Sequence, residues 1–339
     1  MTRRLKNLVL GGATAALAIG GAVSQSFAVE PNDFTNYLRG ATQGLPLGAA
    51  PPTGIYASFG VNATGLPAGS IYNAGAGNQT IPGKTDAPAF GYGVSLLFVP
   101  GWTFLGATYS AAVVQGAYIS TAESGANPPF ASSGANAQLA NTNITPIDLS
   151  WSLGHGWFVA GAVTIVGPDG SQYAATPTSV NLNPDYWTVA PGAALSYLDA
   201  NWLFSANFRY DINTASRGVT MNAPFAAPGA MNGYTSGNEL FGDFTWLYKV
   251  GKWQFGPVGY FEAQTTADSG GGPGSAALYA NQSQVAVGAL VGYDFGPVAM
   301  QAWFDDTVEC QNAVCGLDVW FRTSFRLWAP ESKPIVAKY

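Results

Sequence analysis

Charged side chains are rare in this sequence, and their positions give the first indication of the chemistry the chain can do. Only 9% of its 339 residues are charged, against roughly 25% in an ordinary soluble domain. Where polar and apolar residues alternate, the charges keep to one register. Asp148, Arg209, Asp243 and Arg322 fall at about the same depth when their segments are aligned as strands. Opposite charges at one level of a narrow interior form either a satisfied structural network or a ring that sets ion selectivity.

Residues suited to catalysis or metal binding are few. His155 is the only histidine, and its position in a short turn indicates a turn residue rather than a general base. The sequence has no Gly-x-Ser-x-Gly elbow, no phosphate-binding loop and no His/Cys cluster. We therefore expect no catalytic residue, no cofactor and no metal site.

The N-terminus has the pattern of an export signal. Three basic residues precede an apolar run over residues 8–23, and Ala28 ends a small-x-small cleavage site. We predict that residues 1–28 are a cleaved signal peptide and that Val29 is the first mature residue. Removing three of the 13 basic residues leaves 10 against 19 acidic ones, an acidic balance that excludes nucleic acid as a partner.

The only two cysteines, Cys310 and Cys315, lie five positions apart near the C-terminus. An exported chain meets an oxidising compartment, where a pair of nearby cysteines is usually oxidised. The spacing and the compartment predict a disulfide that stiffens a loop. A metal site would need more ligands than this part of the sequence offers.

Alternation of polar and apolar residues recurs through most of the mature chain and predicts about twelve strands. Each is roughly ten residues long, the length that a tilted strand needs to cross a bilayer. The predicted strands are 54–61, 88–99, 102–114, 143–154, 157–167, 185–198, 202–213, 238–250, 253–264, 283–295, 298–308 and 316–328.

Short and long connections alternate between these strands. The short ones are 100–101, 155–156, 199–201, 251–252 and 296–297; the long ones are 62–87, 115–142, 168–184, 214–237, 265–282 and 309–315. This rhythm is typical of an up-and-down barrel with its tight turns at one rim. We predict an all-β fold in which residues 54–328 form a transmembrane antiparallel β-barrel with short periplasmic turns and long extracellular loops.

Aromatic residues support a barrel surrounded by lipid. In the stretch 240–250, every second residue is apolar or aromatic, whereas the residues between them carry the charges. Tryptophan favours the interface between headgroups and hydrocarbon. We predict a tryptophan girdle at the short-turn rim, with each member following a turn: Trp102, Trp157, Trp202 and Trp253.

The two ends of the mature chain flank the predicted barrel. Residues 29–53 contain four prolines, which forbid a regular strand, and two interpretations stay open: a disordered periplasmic leader or a plug inside the lumen. Residues 329–339 form a C-terminal tail. The aromatic residue read during barrel assembly is then either Trp328 or Tyr339.

Two stretches resemble a known family. They are the Pro-Pro-x-Gly-x-Tyr pattern at 51–56 and the segment "YTSGNELFGDFTWLYKVGKWQFGPVGYFEAQTTAD" at 234–268. Together they are similar to outer-membrane proteins associated with the meta-pathway of phenol degradation. The resemblance implies a barrel that passes hydrophobic or aromatic molecules. Related fatty-acid and toluene channels have an N-terminal plug, but the family has no established functional residues to carry over.

These observations lead to one expected function and two alternatives. We expect a channel in the outer membrane of a Gram-negative bacterium for passive uptake of small hydrophobic or aromatic compounds. The expected partners are outer-membrane lipid, lipopolysaccharide, the barrel-assembly machinery and the solutes themselves. The alternatives are a closed structural barrel whose loops bind a partner, and an outer-membrane lipid hydrolase.

Overall fold

The fold is all-β. The structure, a computed structural model, describes residues 35–66, 85–86, 89–124, 132–171, 183–216, 220–221, 230–231, 234–267, 269–270, 281–311, 313 and 315–330. Twelve long strands account for most of these residues: β1 Gly54–Leu66, β2 Ala89–Val99, β3 Ala107–Ser124, β4 Asn143–Gly154, β5 Trp157–Val166, β6 Thr188–Leu198, β7 Trp202–Asn213, β8 Glu239–Val250, β9 Trp253–Gln264, β10 Ser283–Asp294, β11 Val298–Gln311 and β12 Leu317–Trp328.

The twelve strands form a closed antiparallel barrel. Each strand pairs with its neighbours in sequence, and β1 pairs with β12 over Ile55↔Trp328 to Leu66↔Leu317, which closes the sheet. Closure gives each of these twelve described strands a neighbour on both sides, as a membrane-spanning sheet requires. The predicted fold class and the predicted number of strands are confirmed.

The two faces of the barrel wall differ as the period of two predicts. On β2, Phe90, Tyr92, Val94, Leu96 and Phe98 are exposed on the outer face, and the residues between them face the interior. Strand β8 follows the same rule, since its exposed outer side chains alternate with buried inner ones. The apolar register therefore faces lipid, and the polar register lines the lumen.

Four of the five tight turns lie where the sequence predicts them. At the β4–β5 turn, His155 and Gly156 both have positive φ angles, 53° and 84°, the conformation that a two-residue hairpin turn requires. The first predicted turn, at residues 100–101, is wrong. Chain reversal occurs instead at Leu105 and Gly106, because a short strand Thr103–Phe104 pairs back onto the start of β3. Pro100 interrupts β2 without reversing it.

The long-loop side contains more strand than the sequence predicts. Residues 115–142, predicted as a loop, include the end of β3 and the strand Ser132–Leu139, which pair with each other. Strand β11 continues to Gln311, beyond its predicted end, and Cys310 and Cys315 are joined by a disulfide at this rim. These elements extend the sheet past the level at which the other strands end.

Some predictions fall outside the described residues. The signal peptide at 1–28 and Tyr339 are among them, as is most of the loops predicted at 62–87, 168–184, 214–237 and 265–282. Within the described part of the chain, no helix is long and apolar enough to cross a membrane.

Candidate functional site in the barrel lumen

Residues 35–53, which we call the lumenal segment, run through the barrel interior from one rim to the other. Near the short-turn rim, the backbone N–H groups of Gly48 and Ala50 donate to the hydroxyls of Ser196 and Ser150, at 2.9 and 3.0 Å. At the other end, Asn36 Nδ2 donates to Oγ1 of Thr188, the first residue of β6, at 2.7 Å. The interior is thus occupied along its height by a chain without regular secondary structure.

Asp243 on β8 binds the middle of the lumenal segment. Its buried carboxylate accepts hydrogen bonds from the Tyr37 hydroxyl at 2.7 Å, from Gly40 N–H at 3.0 Å and from Thr42 N–H at 3.2 Å, as well as from the Thr42 hydroxyl. A buried carboxylate is costly unless such donors satisfy it. Gly40 has a φ of 75°, so the tight bend that brings these donors to one carboxylate favours glycine.

Arg322 on β12 binds the same part of the lumenal segment through its carbonyl groups. Its guanidinium donates to the backbone oxygens of Ala41, at 2.9 Å, and Gln43, and to Oε1 of Gln301 on the neighbouring strand β11. Gln301 in turn donates to the Gly44 carbonyl at 2.9 Å. A carboxylate therefore holds the N–H groups of this bend while a guanidinium holds its C=O groups.

The other two charged residues predicted at this level have partners elsewhere. Arg209 forms an ion pair with Asp211 on its own strand, and its guanidinium lies 4.8 Å from the centre of the Tyr37 ring. Asp148 accepts a hydrogen bond from Ser110 at 3.0 Å. Among the described residues, no ion pair joins one of the four predicted charges to another. Asp243 and Arg322 come together only through the lumenal segment.

Further charged residues, which were not among the four predicted ones, hold the part of the lumenal segment that lies nearer the long-loop rim. Arg39 forms a buried ion pair with Glu262 at 3.2 Å, and Glu262 also accepts hydrogen bonds from Gln282 and Gln284. The Tyr260 hydroxyl lies 3.4 Å from Arg39 and donates to Asp318. The alternation of β9 and β12 places Glu262 and Asp318 on the inward register, but nothing in the sequence indicated that Arg39 is their partner.

An apolar cluster lines the lumen on the same side of the barrel. Its members come from β7–β12 and pack against Leu38 and Ala41 of the lumenal segment: Leu203, Leu247, Val258, Leu290, Trp303 and Trp320. Trp303 and Trp320 are directly paired across β11 and β12, and their rings stack at 5.3 Å with an interplanar angle of 5°. Large apolar side chains thus share an interior that the charges alone would make polar.

The opposite wall, formed by β1–β3, has small inward residues at one level. Gly60, Gly93 and Gly116 are paired side by side across the three strands, and Gly60 is also paired with Arg322 on β12. A Cβ atom added at Gly60 or Gly93 would come no closer than 3.7 Å to another residue's heavy atom. This row of three, which we call the glycine row, leaves the wall bare at the level where Arg322 holds the lumenal segment.

The four tryptophans predicted as a girdle are exposed at the short-turn rim. Trp157, Trp202 and Trp253 each begin a strand after a tight turn, whereas Trp102 precedes its turn and stacks on Tyr109 at 5.7 Å.

At the β6–β7 turn, hydrogen bonds from the backbone N–H of Asn201, the Tyr197 hydroxyl and the backbone N–H of Trp202 lower the pKa of the exposed Asp199 carboxyl. This keeps the carboxylate charged as a turn cap.

A closed twelve-strand barrel with an apolar outer band and a polar interior defines a transmembrane β-barrel of the outer-membrane type. The sequence profile of the family described as "Putative MetA-pathway of phenol degradation" matches residues 70–323. The chain belongs to this family, as its motifs predicted. No curated protein shows significant sequence similarity to this chain.

A solved outer-membrane channel shares the fold at low sequence identity. The COG4313 outer membrane channel from Pseudomonas putida F1 has a TM-score of 0.62 and 11% identity, with 83% of this chain and 98% of that chain covered. The toluene transporter TbuX from Ralstonia pickettii has a TM-score of 0.40 and 11% identity over 90% and 96%. The barrel fold and a location in the outer membrane of a Gram-negative bacterium, both predicted from the sequence, are confirmed.

Proposed function

We propose that the protein is a channel for passive passage of small hydrophobic or aromatic compounds, with the lumenal segment acting as a plug that narrows the lumen. The observation that carries the proposal is the one-sided attachment of the middle part of this segment. Its middle part, from Tyr37 to Gly44, is held by hydrogen bonds to β7, β8, β9, β11 and β12. The bare wall at the glycine row then offers a narrow path beside the plug.

The chemistry of the lumen agrees with an apolar solute of modest size. Barrels of about eight strands are filled by their own side chains, and those of sixteen hold an open aqueous channel. Twelve strands with a plug leave room for a small molecule only. The apolar cluster around Leu247 and Leu290 lies within this interior, and it gives an aromatic or aliphatic solute a surface that a purely charged lumen would lack.

We also propose which lipids and which machinery the barrel contacts. The exposed tryptophans Trp157, Trp202 and Trp253 would lie among periplasmic-side headgroups, and Trp102 would join them despite its position before a turn. Lipopolysaccharide would surround the opposite rim, and the barrel-assembly machinery would insert the chain. Mass spectrometry of the mature protein tests the predicted start at Val29.

The path beside the plug can be tested by narrowing it. Gly93→Phe places a phenyl ring on the inner face of the barrel wall. Val94→Phe, at the next residue, places the same ring on the outer face of the wall. We expect Gly93→Phe to reduce uptake of phenol and toluene into proteoliposomes several-fold, because the new side chain occupies the path. We expect Val94→Phe to leave uptake unchanged, since that side chain meets lipid.

The outcome separates the proposal from its alternatives. A heat-modifiable electrophoretic band identifies folded barrels in both variants. If folded wild-type protein passes no aromatic solute, the channel proposal is wrong, and a closed barrel with partner-binding loops becomes the better account. If Gly93→Phe and wild type pass solutes equally, passage does not follow the glycine row.

A further inference from the structure

Two buried indole groups in the lumen lack hydrogen-bond acceptors. Trp303 and Trp320 are only 3% and 7% exposed, and neither Nε1 atom has a partner among the described residues. Buried Trp N–H groups usually find an acceptor, and a donor left unpaired in the interior is unfavourable. Two such donors on one stacked pair indicate a site whose acceptor is supplied by a ligand.

Two unpaired acceptors lie on the inner side of the same part of the barrel wall. Asp305 is two residues from Trp303 on the inner face of β11; its Oδ1 accepts from Gln43 Nε2 at 3.1 Å, while its Oδ2 has no donor among the described residues. Gln43 Oε1 also lacks a donor there. A Cβ added at Gly40 would lie 3.5 Å from Asp305 Oδ2. Asp305 Oδ2 is buried, and because Gly40 has no side chain, the lumenal segment brings no side-chain group to it from this position.

A hydroxyl group on an aromatic ring matches three of these atoms, the two indole nitrogens and Asp305 Oδ2. Its oxygen accepts from an indole N–H, its hydrogen is donated to the Asp305 carboxylate, and its ring packs against Trp303, Trp320 and Leu290. An aromatic carboxylate fits less well, because Asp305 is paired directly with Asp318 and a third negative charge would be repelled. A plain hydrocarbon would leave the donors and the acceptors unpaired.

We propose that Trp303, Trp320 and Asp305 form a binding site for a phenolic solute within the lumen. The proposal rests on the proposed function, since the solute reaches the site by entering the barrel. In the structure, the Gln43 side chain occupies this binding site, because its carboxamide donates a hydrogen bond to Asp305 as the phenolic hydroxyl would. The solute displaces this side chain but leaves the Gln43 carbonyl bound to Arg322.

The test follows the indole N–H signals of the full-length mature protein in detergent by NMR while phenol is added. Trp303→Phe and Trp320→Phe, which keep an aromatic ring, assign the two signals. We expect phenol to shift both, and toluene or benzoate at the same concentration to shift neither. Trp303→Phe should weaken phenol binding by about two- to ten-fold, the range expected for one neutral hydrogen bond. Gln43→Ala should strengthen it, because it removes the competing side chain and no backbone contact.

The results separate this inference from the proposed function. If phenol leaves both indole signals in place while proteoliposomes take up phenol, the site is refuted and the channel stands. If both signals shift while no aromatic solute crosses the membrane, the site stands and the channel falls. Equal shifts with toluene and phenol would also refute the site, because the hydroxyl would then have no part in binding. Gln43→Ala provides the same test should the tryptophan variants fail to fold.

Discussion

The two halves of the barrel wall obey the same alternation but present different interiors. Strands β7–β12 turn large charged and aromatic side chains inward, among them Asp243, Glu262 and Arg322. Strands β1–β3 turn glycines and serines inward, such as Ser58, Gly60 and Gly93. The wall rich in charged groups fixes the middle of the lumenal segment, whereas the glycine row, which has no side-chain hydrogen-bonding group, leaves space beside it.

The difference has a simple physical basis. A buried charge needs partners, and a chain without regular secondary structure needs its N–H and C=O groups satisfied. Both requirements are satisfied where Asp243 accepts hydrogen bonds from backbone N–H groups and Arg322 donates to backbone carbonyls. Glycine offers no side-chain group for such bonds, so the glycine row cannot hold the segment.

Removing the lumenal segment is expected to abolish the difference between the two walls, with the largest effect of all. Deletion of residues 30–48 should raise single-channel conductance several-fold, because water would replace the segment and solvate the exposed charges. Planar-bilayer recordings measure this. A deletion variant that is folded but keeps wild-type conductance would show that the segment is no plug.

Weakening the attachment is expected to have a smaller effect in the same direction. Asp243→Asn and Arg322→Gln each remove charge-assisted bonds to the bend of the segment, which should lower the free energy of unfolding by about 1–3 kcal/mol and raise conductance. Asp148→Asn is the matched control, since Asp148 bonds to Ser110 of the wall.

The same variants test whether these charges set ion selectivity. If they do, the reversal potential in a salt gradient should shift in opposite directions for Asp243→Asn and Arg322→Gln, because one removes negative and the other positive charge. Unshifted potentials in both folded variants would leave the charges with a structural role only.

The disulfide is expected to have the smallest effect, because it lies at the long-loop rim, at the end of β11, and not at the level of the glycine row. Cys310 and Cys315 are separated by 5 positions, and so short a closed loop contributes about 2 kcal/mol. Replacing both by serine should lower the stability of the barrel by that amount or less and leave conductance unchanged. Two free thiols in the purified mature protein, seen by mass spectrometry, would contradict the disulfide.

The wall of the barrel was predictable from the sequence because its signals are local. Period-two alternation identified all twelve strands, and Gly/Asn/Asp turns identified most reversals. The turn after β2 was misplaced because Pro100 and Gly101 resemble a turn, whereas the reversal uses Leu105, an unusual residue at positive φ. Pairing of the strand Ser132–Leu139 with β3 was missed because its residues alternate weakly.

The interior was less predictable because its contacts join residues far apart in sequence. The inward register selected Asp243 and Arg322, and in the structure both bind backbone groups of the bend from Gly40 to Gln43. Backbone groups carry no signal of residue type. The prolines of residues 29–53 excluded a strand, but they left the leader and the plug as equal interpretations.

Cysteine accessibility tests whether solutes pass along the glycine row and not along the wall that holds the segment. Single cysteines are introduced at three positions. Gly93 lies in the glycine row, Thr245 contacts the lumenal segment at the Gly44 N–H, and Val94 faces lipid. A charged thiosulfonate reagent is added while current is recorded across a planar bilayer. We predict that Gly93→Cys reacts and its current falls, while Thr245→Cys and Val94→Cys do not respond. Reaction at Thr245→Cys with none at Gly93→Cys would contradict the account.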